Sequence, residues 1–441
     1  MEKKSLDTKA ENCLRTEGEN MINVLPDDLL VKILMLVLIK DAVGTMILSK
    51  GWQYIWTMMP ELEYEEKNNG KSIWHFFDKS LQLHKAPVLE YIYVELGSQC
   101  PVDVDVGKWI ENAVDRGVCR LKFDLMWSKK PINLPESLYT CDTLVFLSLS
   151  NKIFVDIVSP ACLPPLNSLV LLSVVFKDED SQVGILSSCP ILKNLHVERH
   201  IEDNVINFNV KVSSLELLIY KCPDREEEEG IKRSLVIDSP LLKTIIINDI
   251  SGDSCSFENT YRLDKAYINV TCDNDKFMRS LASTVLLEIV LGIPTVVCFT
   301  TITFFQLIEC EIQPFELDWL EPLMVFVQNC PKLKVLFINL IYLREDFPLS
   351  WNHPSSVPKC LLNHLEIFEW KRYGGRTQEK ELVRYILANS RCLKRVAINN
   401  PEDNEEMMDE LKSMSRISQS CQLTCTPIIL QDTYLDRYTS Y

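Results

Sequence analysis

Residues 188–199 read SCPILKNLHVER, and residues 329–340 read NCPKLKVLFINL. Both place Cys-Pro two to three residues ahead of a leucine, Leu192 or Leu333. That leucine opens the phrase apolar, two residues, apolar, one residue, apolar. The phrase recurs as LVFLSL from Leu144, LNSLVL from Leu166, VSSLEL from Val212, LKTIII from Leu242 and LDKAYI from Leu263. It returns as IPTVVC from Ile293, LNHLEI from Leu362 and LKRVAI from Leu393. Its second half alternates with period two, which predicts a short strand with one buried face. Successive starts lie 20 to 40 residues apart, room for one strand and a return segment.

Such a unit buries its apolar face only against the next one, so the pattern predicts a stacked solenoid with a parallel sheet. It resembles an irregular leucine-rich repeat. A small residue three before the phrase (Cys141, Cys189, Ser239, Cys330 or Ser390) predicts a tight turn entering each strand. That assigns these cysteines to packing rather than redox chemistry.

The chain has 441 residues, of which 46% are hydrophobic and 24% charged, with a formal net charge of −16. The acidic balance and the scattered lysines and arginines argue against nucleic acid as a partner. The N-terminal MEKKSLDTKAENCLRTEGEN lacks the apolar core of a secretory signal, so the sixteen cysteines are expected as thiols. Cys421 and Cys425 have no further ligands nearby, and HVERH (His196, His200) does not match the zinc-protease spacing, so no metal is expected. The uncharged segment Ile289–Ile308 could span a bilayer by length. Gly292, Pro294 and its β-branched residues point instead to two buried strands, Val296–Phe299 and Phe304–Ile308, and no membrane role. The acidic run Glu226–Glu229 reads as a solvated loop. No phosphate-binding glycine loop or nucleophile elbow occurs, so neither an enzyme nor a cofactor is expected.

Residues 22–62 predict three short helices. Pro26 suits a first turn, and Leu29, Leu30, Ile33, Leu34 and Val37 form one apolar face. Asp41 can cap a second helix carrying Ala42, and Ser49 a third that sets Trp52 and Trp56 on one face. Three helices of this size cannot bury so much apolar surface among themselves. The segment resembles an F-box in LPDDLL (25–30), KIL (32–34), KDAV (40–43), LSK (48–50) and the two tryptophans. It departs from the usual pattern at Leu38-Ile39 and at Gly51 and Gln53 around Trp52. The resemblance implies docking to a Skp-type adaptor, and through it to a cullin, by Leu25, Pro26, Leu29, Leu30, Ile33, Leu34, Ala42, Trp52 and Trp56.

Residues 356–399 predict strand, Gly374-Gly375 turn, helix 379–388 and strand, and resemble the FBD module that follows leucine-rich repeats in plant F-box proteins. The resemblance runs from about residue 20 to 425. The expected fold is α/β: a three-helix F-box (21–66), an irregular leucine-rich-repeat solenoid (67–350) and a capping FBD unit (351–430), between tails 1–20 and 431–441. Segment 264–332 is expected to be the least regular part. The implied function is a non-catalytic substrate-recognition subunit of a Skp–cullin–F-box ubiquitin ligase in cytosol or nucleus, its solenoid holding an unidentified target protein. The alternatives are a scaffold or decoy that recruits no ligase, and a receptor holding a small molecule.

Overall fold

The computed structural model describes residues 25–66, 73–98, 104–126, 131–157, 161–223, 233–251, 254–259, 263–270, 275–291, 301–315, 318–340, 349–400 and 405–427. It forms two compact units: residues up to Leu192 with Glu202–Asn204, and Lys193–Ile201 with Val205 onward.

The first unit begins with helices Asp27–Leu34, Ile39–Gly44 and Trp52–Ile55, and single tight turns Thr45–Ile47 and Trp56–Met58 extend the last two. Pro26 caps the first helix, whose opening Asp27 and Asp28 favour its positive end. That helix stops at Leu34, short of Val37. The second is capped by Leu38 rather than Asp41, and the third by Gly51 rather than Ser49.

Strands follow without a linker. They are β1 (Glu61–Glu65), β2 (Tyr91–Leu96), β3 (Arg120–Leu125), β4 (Ile132–Asn133), β5 (Phe146–Asn151), β6 (Ile153–Val155) and β7 (Ser168–Phe176). β1, β2, β3, β5 and β7 pair in that order, all parallel. β4 and β6 make a short second layer that joins the end of β7. Asn151 (φ 67°) and Ser173 (φ 53°) take left-handed backbone at the points where the chain turns from one layer to the other. The helical segment is tied to the sheet by backbone. Thr57 O accepts the N–H groups of Lys85 (2.7 Å) and Ala86 (2.9 Å), and Pro60 O that of Glu90 (2.8 Å).

The second unit holds β8 (Asn194–Arg199), β9 (Asn207–Val210), β10 (Leu217–Cys222), β11 (Ser234–Ile237), β12 (Thr244–Asp249), β13 (Ser254–Phe257) and β14 (Lys265–Val270). It continues with β15 (Leu286–Leu291), β16 (Glu309–Pro314), β17 (Val335–Asn339), β18 (Ile367–Lys371), β19 (Arg395–Asn400) and β20 (Gln422–Pro427). β8, β10, β12 and then β14 to β20 form one parallel sheet. β9, β11 and β13 form a second layer opposite its first strands. Between these layers Arg199 is buried. Its Nη1 donates to Tyr220 Oη (3.1 Å), its Nη2 to Val205 O (2.5 Å), and its guanidinium lies over Phe208. Farther along, helices Leu320–Gln328, Lys359–Asn363 and Thr377–Asn389 replace the second layer.

The register corrects the sequence frame in three ways. Leu217 pairs with Asn194 and Ile367 with Val335, so the phrases open at Leu215 and Leu365, three residues after Val212 and Leu362. Leu286 pairs with Lys265 and Glu309 with Leu286, so two regular rungs open at Thr284 and Leu307 in the segment expected to be irregular. The second strand there is Glu309–Pro314, not Phe304–Ile308, because Leu307 sets the frame. Residues 293–299, like the acidic run 226–229, lie outside the described residues. Third, the sheet starts before Leu144: β1, β2 and β3 add rungs opening at Met59, Leu89 and Val118. The residue three before the phrase is buried at most rungs even where it is large, as at Trp56, Leu163 and Phe304, the exceptions being the exposed Asp115 before Val118 and the half-buried Leu362 before Leu365. Among the described residues no helix is long and apolar enough to cross a membrane.

The FBD-like segment continues the sheet of the second unit: β18 pairs with β17 on one side and β19 on the other. Removing everything after Asn339 exposes the full edge of β17 and its apolar neighbours. The truncated chain is therefore expected to melt at lower temperature or to aggregate; unchanged melting would show that the segment folds apart from the repeats.

A buried histidine, His84, and a half-buried one, His196, couple stability to pH. Burial, helped by the Arg116 guanidinium, pushes His84 down to about 4. Arg116 Nη2 donates to Nδ1 (2.5 Å) and Nε2–H to Met59 O (2.8 Å), which fixes the neutral ring. Burial, with a smaller effect from Lys221, lowers His196 to about 4. The unfolded chain binds more protons than the folded one between about 4 and 6.5, so this contribution is complete above pH 6.5 and is lost as pH falls toward 4. Urea midpoints are expected to fall over that range, and His84→Gln to reduce the slope. An unaltered slope in the variant would remove His84 from this account.

Candidate functional site

Large apolar side chains normally leave the surface in scattered ones and twos. Here eleven of the twenty-four exposed ones among the described residues fall within residues 29–58. Their placement follows from the helices. The first helix buries Leu30 and Leu34 and leaves Leu29 and Ile33 exposed, because residues one apart cannot share a face. After it ends, Met35, Leu36, Val37 and Leu38 are all exposed in succession. The second helix turns inward with Ile39 and Ala42, and the chain surfaces again at Met46, Ile47 and Leu48. Leu36 is 84% exposed and Ile47 90%. A contiguous exposed run of that kind is uncommon on a free protein surface.

Of the nine residues singled out from sequence, Leu30, Leu34, Ala42, Trp52 and Trp56 are buried inside the chain. Trp52 and Trp56 therefore build the base of the head rather than its surface. Met59 N–H bonds Trp56 O (3.2 Å), closing the turn into β1. Pro26, Leu29 and Ile33 are exposed, and Leu25 is half-buried. Met35, Leu36, Val37, Leu38, Met46, Ile47, Leu48, Tyr54 and Met58 complete the exposed set and lie outside those nine. The sequence signal was present in the unbroken apolar run Ile33–Ile39, too long for one face of an eight-residue helix. Tyr54 Oη donates to Asp27 Oδ2 (2.9 Å) and joins the third helix to the first; this bond, followed by the charge of Asp27, raises the phenol above its ordinary range.

The other extended surface is the non-core face of each sheet. In the first unit it carries Glu63, Tyr93 and Lys122 as register neighbours; in the second it carries Glu288, Glu311, Phe337 and Glu369. Among the described residues no group of three or more His, Cys, Asp or Glu is arranged to hold a metal. His196 lies on β8 opposite Ile219.

The fold is a parallel sheet built from repeats, with an N-terminal helical segment that exposes apolar side chains. Comparison with known proteins gives its family. Residues 353–398 match the FBD family, and residues 106–266 match the leucine-rich repeats of the FBD-associated F-box protein At5g56370. The F-box/FBD/LRR-repeat protein At1g22000 of Arabidopsis thaliana is 49% identical over 95% of this chain and 95% of its own. The FBD-associated F-box protein At5g56370 of the same plant is 37% identical over 89% of this chain and 93% of its own. The F-box/FBD/LRR-repeat protein At4g26340, also from that plant, is 36% identical over 91% and 99%. The chain belongs to this F-box/FBD/LRR-repeat family.

The two classes of side chain on the head separate by measurement. Trp56→Ala is expected to cost about 3–5 kcal/mol of stability, as for a large buried aromatic. Ile47→Ser is expected to stay within about 0.5 kcal/mol. Equal losses in chemical denaturation would mean that Ile47 is packed and the head is not an open surface.

Proposed function

We propose that the chain is the substrate-recognition subunit of a Skp–cullin–F-box type ubiquitin ligase. The observation that carries this reading is the concentration of exposed apolar side chains on the N-terminal helices. An adaptor docked there would cover Leu29, Ile33, Leu36, Ile47 and Leu48. Burial of such anchors supplies most of the affinity in an interface of this kind. The family names of its relatives point the same way. The repeat solenoid and its FBD cap would hold the target protein in cytosol or nucleus. The chain contributes no chemistry of its own. Binding raises the effective concentration of a target lysine near the conjugating enzyme brought by the cullin.

The decisive experiment is co-purification with a Skp-type adaptor. Leu36→Asp with Ile47→Asp is expected to weaken the complex by about 3 kcal/mol or more while leaving the melting temperature unchanged. Undiminished co-purification of that double variant would sink the docking reading. A wild-type chain that never captures the adaptor would favour the scaffold or decoy alternative.

A further inference from the structure

The outward face of β1, β2 and β3 is an ordered set of charges. Glu65, Glu95 and Asp124 are register partners on three adjacent strands. Neighbouring strands lie about 4.8 Å apart, so three like charges stand side by side, an unfavourable arrangement for the free chain. The cations nearest in register relieve it only in part, through Lys122 acting on Asp124. Arg120 lies 4.5 Å over the Tyr91 ring, and Lys122 4.2 Å over that of Tyr93. Neither makes an ion pair with an acid among the described residues. Tyr93 Oη donates to Glu95 (2.7 Å) and Asn151 to Asp124 (2.5 Å), so the row has neutral donors and, from Lys122 acting on Asp124, one partial counter-charge against three acids.

A second observation lies at the end of the row. Ser150 is the register partner of Asp124 and is 1% exposed, yet its hydroxyl has no hydrogen-bond partner among the described residues. Its neighbour Leu149 is in the core, so strand alternation sets Ser150 on the same face as the acids. An orphaned buried hydroxyl is costly unless something completes it.

We infer that this face takes an extended protein segment rich in lysine and arginine. Ammonium or guanidinium groups would neutralise the Glu65–Glu95–Asp124 row, and a donor seated at Asp124 would complete Ser150. The inference rests on the reading of the repeats as the target-holding part, and it gives that target a chemistry: a basic segment.

The test uses the full chain and a fluorescein-labelled dodecapeptide of alternating lysine and serine, with a glutamate-for-lysine peptide as control. Anisotropy is expected to show binding of the lysine peptide only, weakening as salt rises. Glu65→Gln with Glu95→Gln is expected to weaken binding about tenfold, or about 1.4 kcal/mol. Glu111→Gln with Asp115→Asn removes the same charge from an exposed helix elsewhere and is expected to change it less than about twofold. Ser150→Ala is expected to weaken binding about threefold while the free chain melts no lower, since it removes an unpaired group. Equal loss in the two charge variants, or no preference for the lysine peptide, overturns the inference. Adaptor co-purification with Glu65→Gln/Glu95→Gln is expected to be unchanged. Failure of the wild type to hold adaptor would sink the ligase reading alone, because the peptide measurement contains no adaptor.

Discussion

Everything in the sheets depends on one local arrangement: the buried turn that delivers each frame residue into the strand. Backbone bonds from Leu192 N to Cys189 O (3.2 Å), Leu242 N to Ser239 O (3.1 Å), Thr284 N to Leu281 O (3.0 Å) and Leu333 N to Cys330 O (3.3 Å) repeat the same closure. The turn sets the phase of the strand, and the phase decides which side chains face inward. A one-residue slip would send an entire apolar set to the other face. In-register parallel pairing follows, because each apolar face is completed by the next rung. Water is excluded from these turns. Burial drives the thiol of Cys330, in one such turn, well above the ordinary range, as it does that of Cys310 within β16, and it raises that of Cys360 in helix Lys359–Asn363 to about 12. Thiols so far from ionisation are poor nucleophiles, which suits a packing role.

The repeat itself was legible, and so were the turn, helix and strands of the FBD-like segment; the phase was not always. Val212 and Leu215 are both buried and three apart, so VSSLEL and LELLIY each satisfy the same pattern. Only pairing with β8 chooses between them. The same three-residue ambiguity moved Leu365 to Leu362, although Leu365 is the fully buried one. Thr284 hid a rung because a threonine holds the frame position; its hydroxyl donates to Leu281 O, which satisfies the polar group and lets it be buried. The first three rungs were hidden by proximity to the helices, where an apolar residue such as Met59 has two claims on it.

At the head, composition was informative and facing was not. The apolar surplus of residues 22–62 was correctly in excess of what three short helices bury. Which residues carry it could not be read from periodicity. Stripes Leu30/Leu34 and Leu29/Ile33 are both spaced by four, and a helix of eight residues gives no third turn to break the tie. The tryptophans drew attention because large aromatics often anchor interfaces. Here Trp56 is claimed by the turn into β1, and Trp52 by the packing of the same head. The exposed surface is left to smaller aliphatic residues, which could be covered and uncovered without dismantling the fold.

The far end of the second unit solves the opposite problem, that of a sheet edge. Tyr373 and Trp370 stack edge to face at 5.0 Å, and Trp370 meets Trp319 at 5.4 Å, fastening β18 to the start of helix Leu320–Gln328. The chain then turns at Gly375, where φ is +74° and a Cβ would run into Met407. Glu379 is buried at the start of the next helix and accepts the N–H of Arg376 (3.1 Å) as well as those of Gly374 and Gly375. Burial raises this carboxyl, and the three backbone donors oppose the shift. The turn thus spends its glycines on a backbone that can wrap a carboxylate, and helix Thr377–Asn389 starts where that carboxylate holds it. β19 is not the last strand. β20 pairs along its whole length and carries Gln422, Thr424 and Thr426 in the positions that continue the outward rows. Among the described residues β20 is the last strand, and its exposed polar side chains make that edge a poor template for further pairing.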